Sequence, residues 1–141
     1  MKCSDLQIGD WVMYNSKPIQ VTSLYGKPTE YGEFVSNEIG WSYSPNTWVD
    51  GDFIEPIPLT DIILKKNGFE LRDNHYIHRI DDKPHHYDFK LKVGGVFASE
   101  GYTLECGIYR LTIRYVHELQ HLLRLCGLNE LADNFKVEEV K

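Results

Sequence analysis

The sequence predicts an α+β protein: an N-terminal SH3-like small β-barrel, then a short helix, an antiparallel β-sheet and a C-terminal covering helix. Three observations predict it. Short strand-like runs separated by turn chemistry fill the first 57 residues. A stiff connector, Pro56-Ile57-Pro58-Leu59, interrupts them. A long helical period occurs only near the C-terminus, from about Tyr115 to Cys126. The expected division is 1–57 for the barrel and 58–141 for an α-β-β-β-α subdomain, with one continuous unit as the alternative. The chain has 141 residues, 42% hydrophobic and 26% charged, which suits one compact domain or two very small ones sharing a core.

The elements follow in order. Leu6 to Tyr14 is an apolar run broken by Gly9-Asp10, and Asn15-Ser16-Lys17-Pro18 is a turn. Ile19-Gln20-Val21-Thr22 alternates with period two. Further strand pieces are expected at Glu33-Phe34-Val35, from Ile39 to Tyr43, and around Trp48 and Phe53-Ile54. Thr60 is placed to cap a short helix over 61–67, with Asp61 in its first turn, Lys65-Lys66 at its end and Gly68 as a left-handed stop. Strands follow at 69–71 and 75–80. Tyr87, Phe89, Leu91 and Val93 alternate with Asp88, Lys90 and Lys92, as in a strand with one wet face. Gly94-Gly95 reads as a hairpin turn, and strands at 102–106 and 108–113 complete the sheet. A helical turn from Asn129 to Asn134 ends the order.

Charge is concentrated. The formal net charge is -6, from 21 acidic and 15 basic residues. Between Pro28 and Ile57 stand six acids (Glu30, Glu33, Glu38, Asp50, Asp52 and Glu55) and no Lys or Arg, so this segment carries the whole imbalance. The same segment holds Tyr31, Phe34, Trp41, Tyr43, Trp48 and Phe53. Duplex nucleic acid needs a basic footprint, so it is not the expected partner. The leading reading is a non-catalytic interaction module for a basic protein, with Trp41, Tyr43 and Trp48 as anchors and Asp50 and Asp52 as electrostatic guides. The alternative for this segment is a solvated β surface with half-buried aromatics. Single-strand nucleic-acid binding by stacking on barrel aromatics is a third reading, which the acidic charge opposes.

His117-Glu118-Leu119-Gln120-His121 matches H-E-x-x-H, in which two histidines on one helix face bind zinc and the Glu is the general base. That makes a zinc hydrolase, with His117 and His121 as ligands and Glu118 as catalytic base, the alternative function. At ~100° per residue, Thr112, Val116, Leu119, Leu123 and Cys126 form the apolar stripe, widened by Tyr115 and Leu122. On that wheel His117 and His121 face outward between Arg114 and Arg124, where fixed positive charge opposes a dication. His75, His78, His85 and His86 cluster around a hairpin, but His75 and His78 point to opposite faces of a strand. Cys106 and Cys126 are expected to be small buried hydrophobes.

Three segments carry a resemblance: Leu6 to Val12; Ile54 to Thr60 leading to Asn67-Gly68-Phe69; and Tyr115 to His121. The chain resembles an uncharacterised family of small Bacteroides-type proteins, often found in phages, prophages and other mobile elements. The proline-rich connector with its helix and Asn67-Gly68-Phe69 is the most specific part. The family's last segment commonly reads Val-His-x-Leu-Gln-Asn, with Gln at the position of Glu118, so Glu118 and His121 depart from it and weaken the zinc reading. The resemblance implies a cytoplasmic, phage-derived accessory protein and no established activity. The composition agrees with that location. No apolar run is long enough for a membrane span, no secretory h-region opens the chain, and Cys3, Cys106 and Cys126 form no CxxC pair.

Overall fold

A computed structural model describes residues 1, 3–28, 34–40, 48–82, 85–94, 101–106 and 109–137. It is an α+β protein with antiparallel sheets. The chain divides into two compact units, Met1–Ile57 with Val116–Lys141, and Pro58–Tyr115. No helix among the described residues is long and apolar enough to cross a membrane.

The first unit holds two three-stranded sheets. In one, β1 (Trp11–Tyr14) lies between β2 (Lys17–Gln20) and a later strand, β6 (Ile54–Pro56). The β1–β2 hairpin turns at Asn15 and Ser16, whose φ values of 49° and 62° match the twist of the paired strands. In the other sheet, β4 (Phe34–Gly40) lies between β3 (Ser23–Pro28) and β5 (Trp48–Asp50). Leu6, Val12, Val21, Ile39 and Ile54 are buried together, with Leu24 and Val49 packed against them. The expected SH3-like barrel is not seen as a closed sheet among the described residues. The physical reason is visible at β6, which returns to pair with β1 through Val12 and Pro56, while β3 turns to β4.

The second unit begins with α1 (Asp61–Lys66). Thr60 Oγ1 accepts from the Ile63 amide at 3.3 Å and caps it. Gly68, at φ +87°, closes it: the Phe69 amide reaches the Leu64 carbonyl at 3.1 Å and the Gly68 amide the Lys65 carbonyl at 3.2 Å. A five-stranded meander follows: β7 (Glu70–Arg72), β8 (His75–Asp82), β9 (His85–Val93), β10 (Tyr102–Cys106) and β11 (Tyr109–Ile113). Tyr76, Ile80, Phe89, Leu91, Tyr102 and Ile113 are buried on one face, and Leu64, fully buried, comes from α1. Burial of a leucine of this kind contributes about 1.5–3 kcal/mol. The Tyr102 hydroxyl donates to Asp61 Oδ1 at 2.6 Å and fixes the start of α1 against the sheet.

The last helices differ from expectation. α2 (Val116–Leu125) and α3 (Asn129–Asp133) group with the first unit, so the compact division runs 1–57 with 116–141, and 58–115, where 1–57 and 58–141 were expected. The reason is a set of polar bonds to the start of β1. Gln120, fully buried, accepts from the Trp11 amide at 2.9 Å and donates to the Gly9 and Ala132 carbonyls at 2.9 and 3.0 Å. The Trp11 indole donates to the Phe135 carbonyl at 2.6 Å.

Candidate functional site

The register of β3, β4 and β5 sorts the acidic segment onto two faces. Leu24, Ile39 and Val49 lie across from one another and turn to the core. Tyr25, Glu38 and Asp50 form the adjacent row, and all three are exposed. Strand neighbours lie ~4.8 Å apart, so two carboxylates stand side by side on adjacent strands. Like charges directly opposite destabilise a sheet, so the juxtaposition itself does not favour folding.

An aromatic ring adjoins them. Trp48, opposite Gly40, is 41% exposed. A Cβ on Gly40 would lie 3.2 Å from Ser23 Cβ and 3.7 Å from the Trp48 ring. The missing side chain thus lets the indole lie against the strand with its other side toward solvent. After β5 the chain makes a 3-10 turn, Gly51–Phe53, capped by Asp50, whose Oδ1 accepts from the Asp52 amide at 2.9 Å. That turn presents Asp52 and Phe53, the latter 67% exposed. Of the five expected contact residues, the structure therefore brings Trp48, Asp50 and Asp52 together in the open. Trp41 and Tyr43 lie outside the described residues.

The H-E-x-x-H segment takes a different position from the expected one. His117 is buried, at 8% exposure, and packs edge-on against His121 with ring centroids 5.6 Å apart. His121 Nε2 lies 2.6 Å from Asp10 Oδ2, and Arg124 Nη1 donates to Asp10 Oδ1 at 2.7 Å. The expectation of two outward imidazoles is thus corrected. The buried arc of α2 runs through Val116, His117, Leu119, Gln120 and Leu123, because Gln120 and Arg124 are polar by type yet held inward by partners. Burial pushes the His117 pKa down, with the neighbouring Asp10 carboxylate acting in the opposite sense. Glu118 is half-buried. Among the described residues no group of three or more His, Cys, Asp or Glu is placed to hold a metal. His121 faces a carboxylate that already holds a guanidinium, and that arrangement favours a structural role for the segment.

No protein-family model, curated protein or solved structure matches the chain.

Two other expectations meet the structure here. His78 packs edge-on against Phe69, centroids 5.1 Å apart, while His75 Nδ1 lies 2.9 Å from the Asp73 carbonyl, so the two do not converge. The side chains of His85 and His86 lie outside the described residues, as does that of Cys106. Cys126, expected to be buried, is exposed, because α2 ends at Leu125 and the chain turns through Gly127 at φ +78°. Sequence reasoning missed Tyr25 and the pairing of Glu38 with Asp50. The one signal was the absence of a basic residue around Glu38. Which strands would align was not readable from composition.

Proposed function

We propose that the first unit is a non-catalytic interaction module whose acidic, aromatic face binds a basic protein segment. The observation that supports it is the Glu38–Asp50 juxtaposition beside exposed Trp48. A Lys or Arg placed between the carboxylates relieves their repulsion and lies within reach of the indole face, where cation–π attraction contributes about 0.5–1 kcal/mol at an exposed site. Phe53 and Asp52 extend the contact. The same charge works against duplex nucleic acid, whose phosphates would meet carboxylates. The SH3-like barrel is the finer part of this proposal, supported by short antiparallel strands around one small core. A cytoplasmic accessory role in a phage or mobile element rests on the resemblance alone.

The test is titration of the full chain with a lysine-rich peptide, read by calorimetry at two salt concentrations. Binding is expected that weakens with salt and drops at least ~tenfold in Trp48→Ala and in the Glu38→Gln/Asp52→Asn double variant. Equal affinity in the wild type and both variants defeats the proposal.

A further inference from the structure

The two units differ in charge as well as in fold. The first carries 13 acidic and 6 basic residues, the second 8 acidic and 9 basic. The register of the five-stranded sheet concentrates the second set. Arg72 pairs with His75 and His75 with Lys92; Ile77 pairs with Lys90 and Arg79 with Asp88; Glu105 pairs with Arg110. Alternation then puts Arg72, Arg79, Lys90, Lys92 and Arg110 on the face opposite the buried Tyr76, Phe89 and Leu91. All five bases are exposed. Glu70 and Asp88 share that face: Glu70 pairs with Arg72 at 2.8 Å and Asp88 stands opposite Arg79, while Glu105 stands opposite Arg110 in the register. Where β7 ends and β8 runs on, a groove of about 550 Å³ opens among Gly68, Glu70, Arg72, Ile77, His78, Arg79 and Asp88. Its lining combines an aliphatic side chain, an imidazole, two guanidiniums and two carboxylates, so the excess of positive charge lies outside it, at Lys90 and Lys92.

We propose that the basic partner of the acidic face is a second copy of this chain, bound through this basic sheet face. The inference rests on the reading of the acidic face as a docking surface and names its occupant. One copy offers Glu38, Asp50 and Asp52 around Trp48, with Phe53 projecting. The other offers Lys90 and Lys92 along one strand, with Arg72 in the same cross-strand row as Lys92. The contact uses different surfaces on the two copies, so it is head-to-tail and propagates into a ring or a short filament. Each copy carries a net charge of -6, which opposes association at long range. At ~0.15 M salt the Debye length is about 8 Å, so that repulsion is screened while charges in contact still attract.

Sedimentation velocity of the full chain over a concentration series tests it. At ~0.15 M salt the average mass is expected to rise with concentration, and at ~1 M salt to fall back. Glu38→Lys/Asp52→Lys and Lys90→Glu/Lys92→Glu each weaken association by more than ~tenfold. An equimolar mixture of the two variants restores it, because the altered faces are complementary again. Restoration also shows that both variants are folded. A wild type that stays monomeric to roughly 1 mM overturns the inference, as does association unchanged by either variant. If that monomer still binds the lysine-rich peptide through Trp48, only the self-association falls; if it does not, the docking reading falls with it. A monomer that binds a single-stranded oligonucleotide, lost in Lys90→Glu/Lys92→Glu, assigns the basic face to polyanions and overturns the proposal.

Discussion

Arg124 Nη1 donates to Asp10 Oδ1 across 2.7 Å, although 114 residues separate them in sequence. Asp10 is fully buried and also accepts from the Gln7 amide at 2.7 Å. The guanidinium has further partners, with Gln7 Oε1 at 3.0 Å and Asp133 Oδ1 at 3.4 Å. One carboxylate therefore joins the loop before β1 to the face of α2 and thereby ties the C-terminal helices to the first unit.

Asp10→Ala removes the carboxylate and leaves Arg124 and His121 without it. Loss of one partner of a buried pair costs 3–5 kcal/mol, and partial exposure of Arg124 lowers the expected cost here to about 2–3 kcal/mol. The urea midpoint reads it. Since the two residues act as one unit, Asp10→Ala/Arg124→Ala is expected to cost less than the sum of the single variants. Strict additivity, or an Asp10→Ala midpoint within error of wild type, would show that the pair does not hold α2.

Acid is expected to weaken the first unit through His117. Burial favours its neutral ring, so its folded pKa lies below the ordinary 6.5. On lowering the pH through that ordinary value, the unfolded chain takes up a proton before the folded one does. This contribution is therefore present above about pH 6.5 and lost as pH falls toward the folded pKa. Asp5, Asp10, Glu118 and His121 all act on the ring. The measurement compares unfolding free energy against pH for the wild type and His117→Gln. A shallower decline in the variant is expected, and parallel curves would remove His117 from the account.

Alkali tests the second unit. Burial first, and then Asp61, raise the pKa values of Tyr102 and Tyr76 above the ordinary 10. Their protonated forms are favoured by the fold, so that stabilisation is whole below about pH 10 and is lost as pH rises toward the folded values. In a near-ultraviolet titration, Tyr76 and Tyr102 should ionise late, with unfolding. Asp61→Asn should shorten the delay without abolishing it, because burial is the larger cause. Tyr102→Phe should cost about 1.5–3 kcal/mol, the range for a hydrogen bond to a charged group. A titration with no late step, or one that Tyr76→Phe and Tyr102→Phe leave unchanged, would contradict this packing.

The sequence alone determined what depends on a few neighbouring residues. Thr60 as a cap, Gly68 as a left-handed stop, the turn at Asn15-Ser16 and the alternation of β9 all appear where local sterics demand them. The concentration of acid between Pro28 and Ile57 was equally plain. Tertiary structure decided the rest. Gln120 and Arg124 look like solvent-facing residues on a helical wheel, and their burial is made favourable by the distant partners Trp11 and Asp10 together with nearer ones at Ala132 and Asp133. Those partners turned α2 about its axis, took His117 inside and carried the helix to the first unit. Likewise, Glu38 and Asp50 are eleven intervening residues apart, and only strand register sets them side by side. Turn and cap preferences act within a few bonds, whereas the side a helix buries and the neighbour a strand meets are fixed by packing across the whole unit.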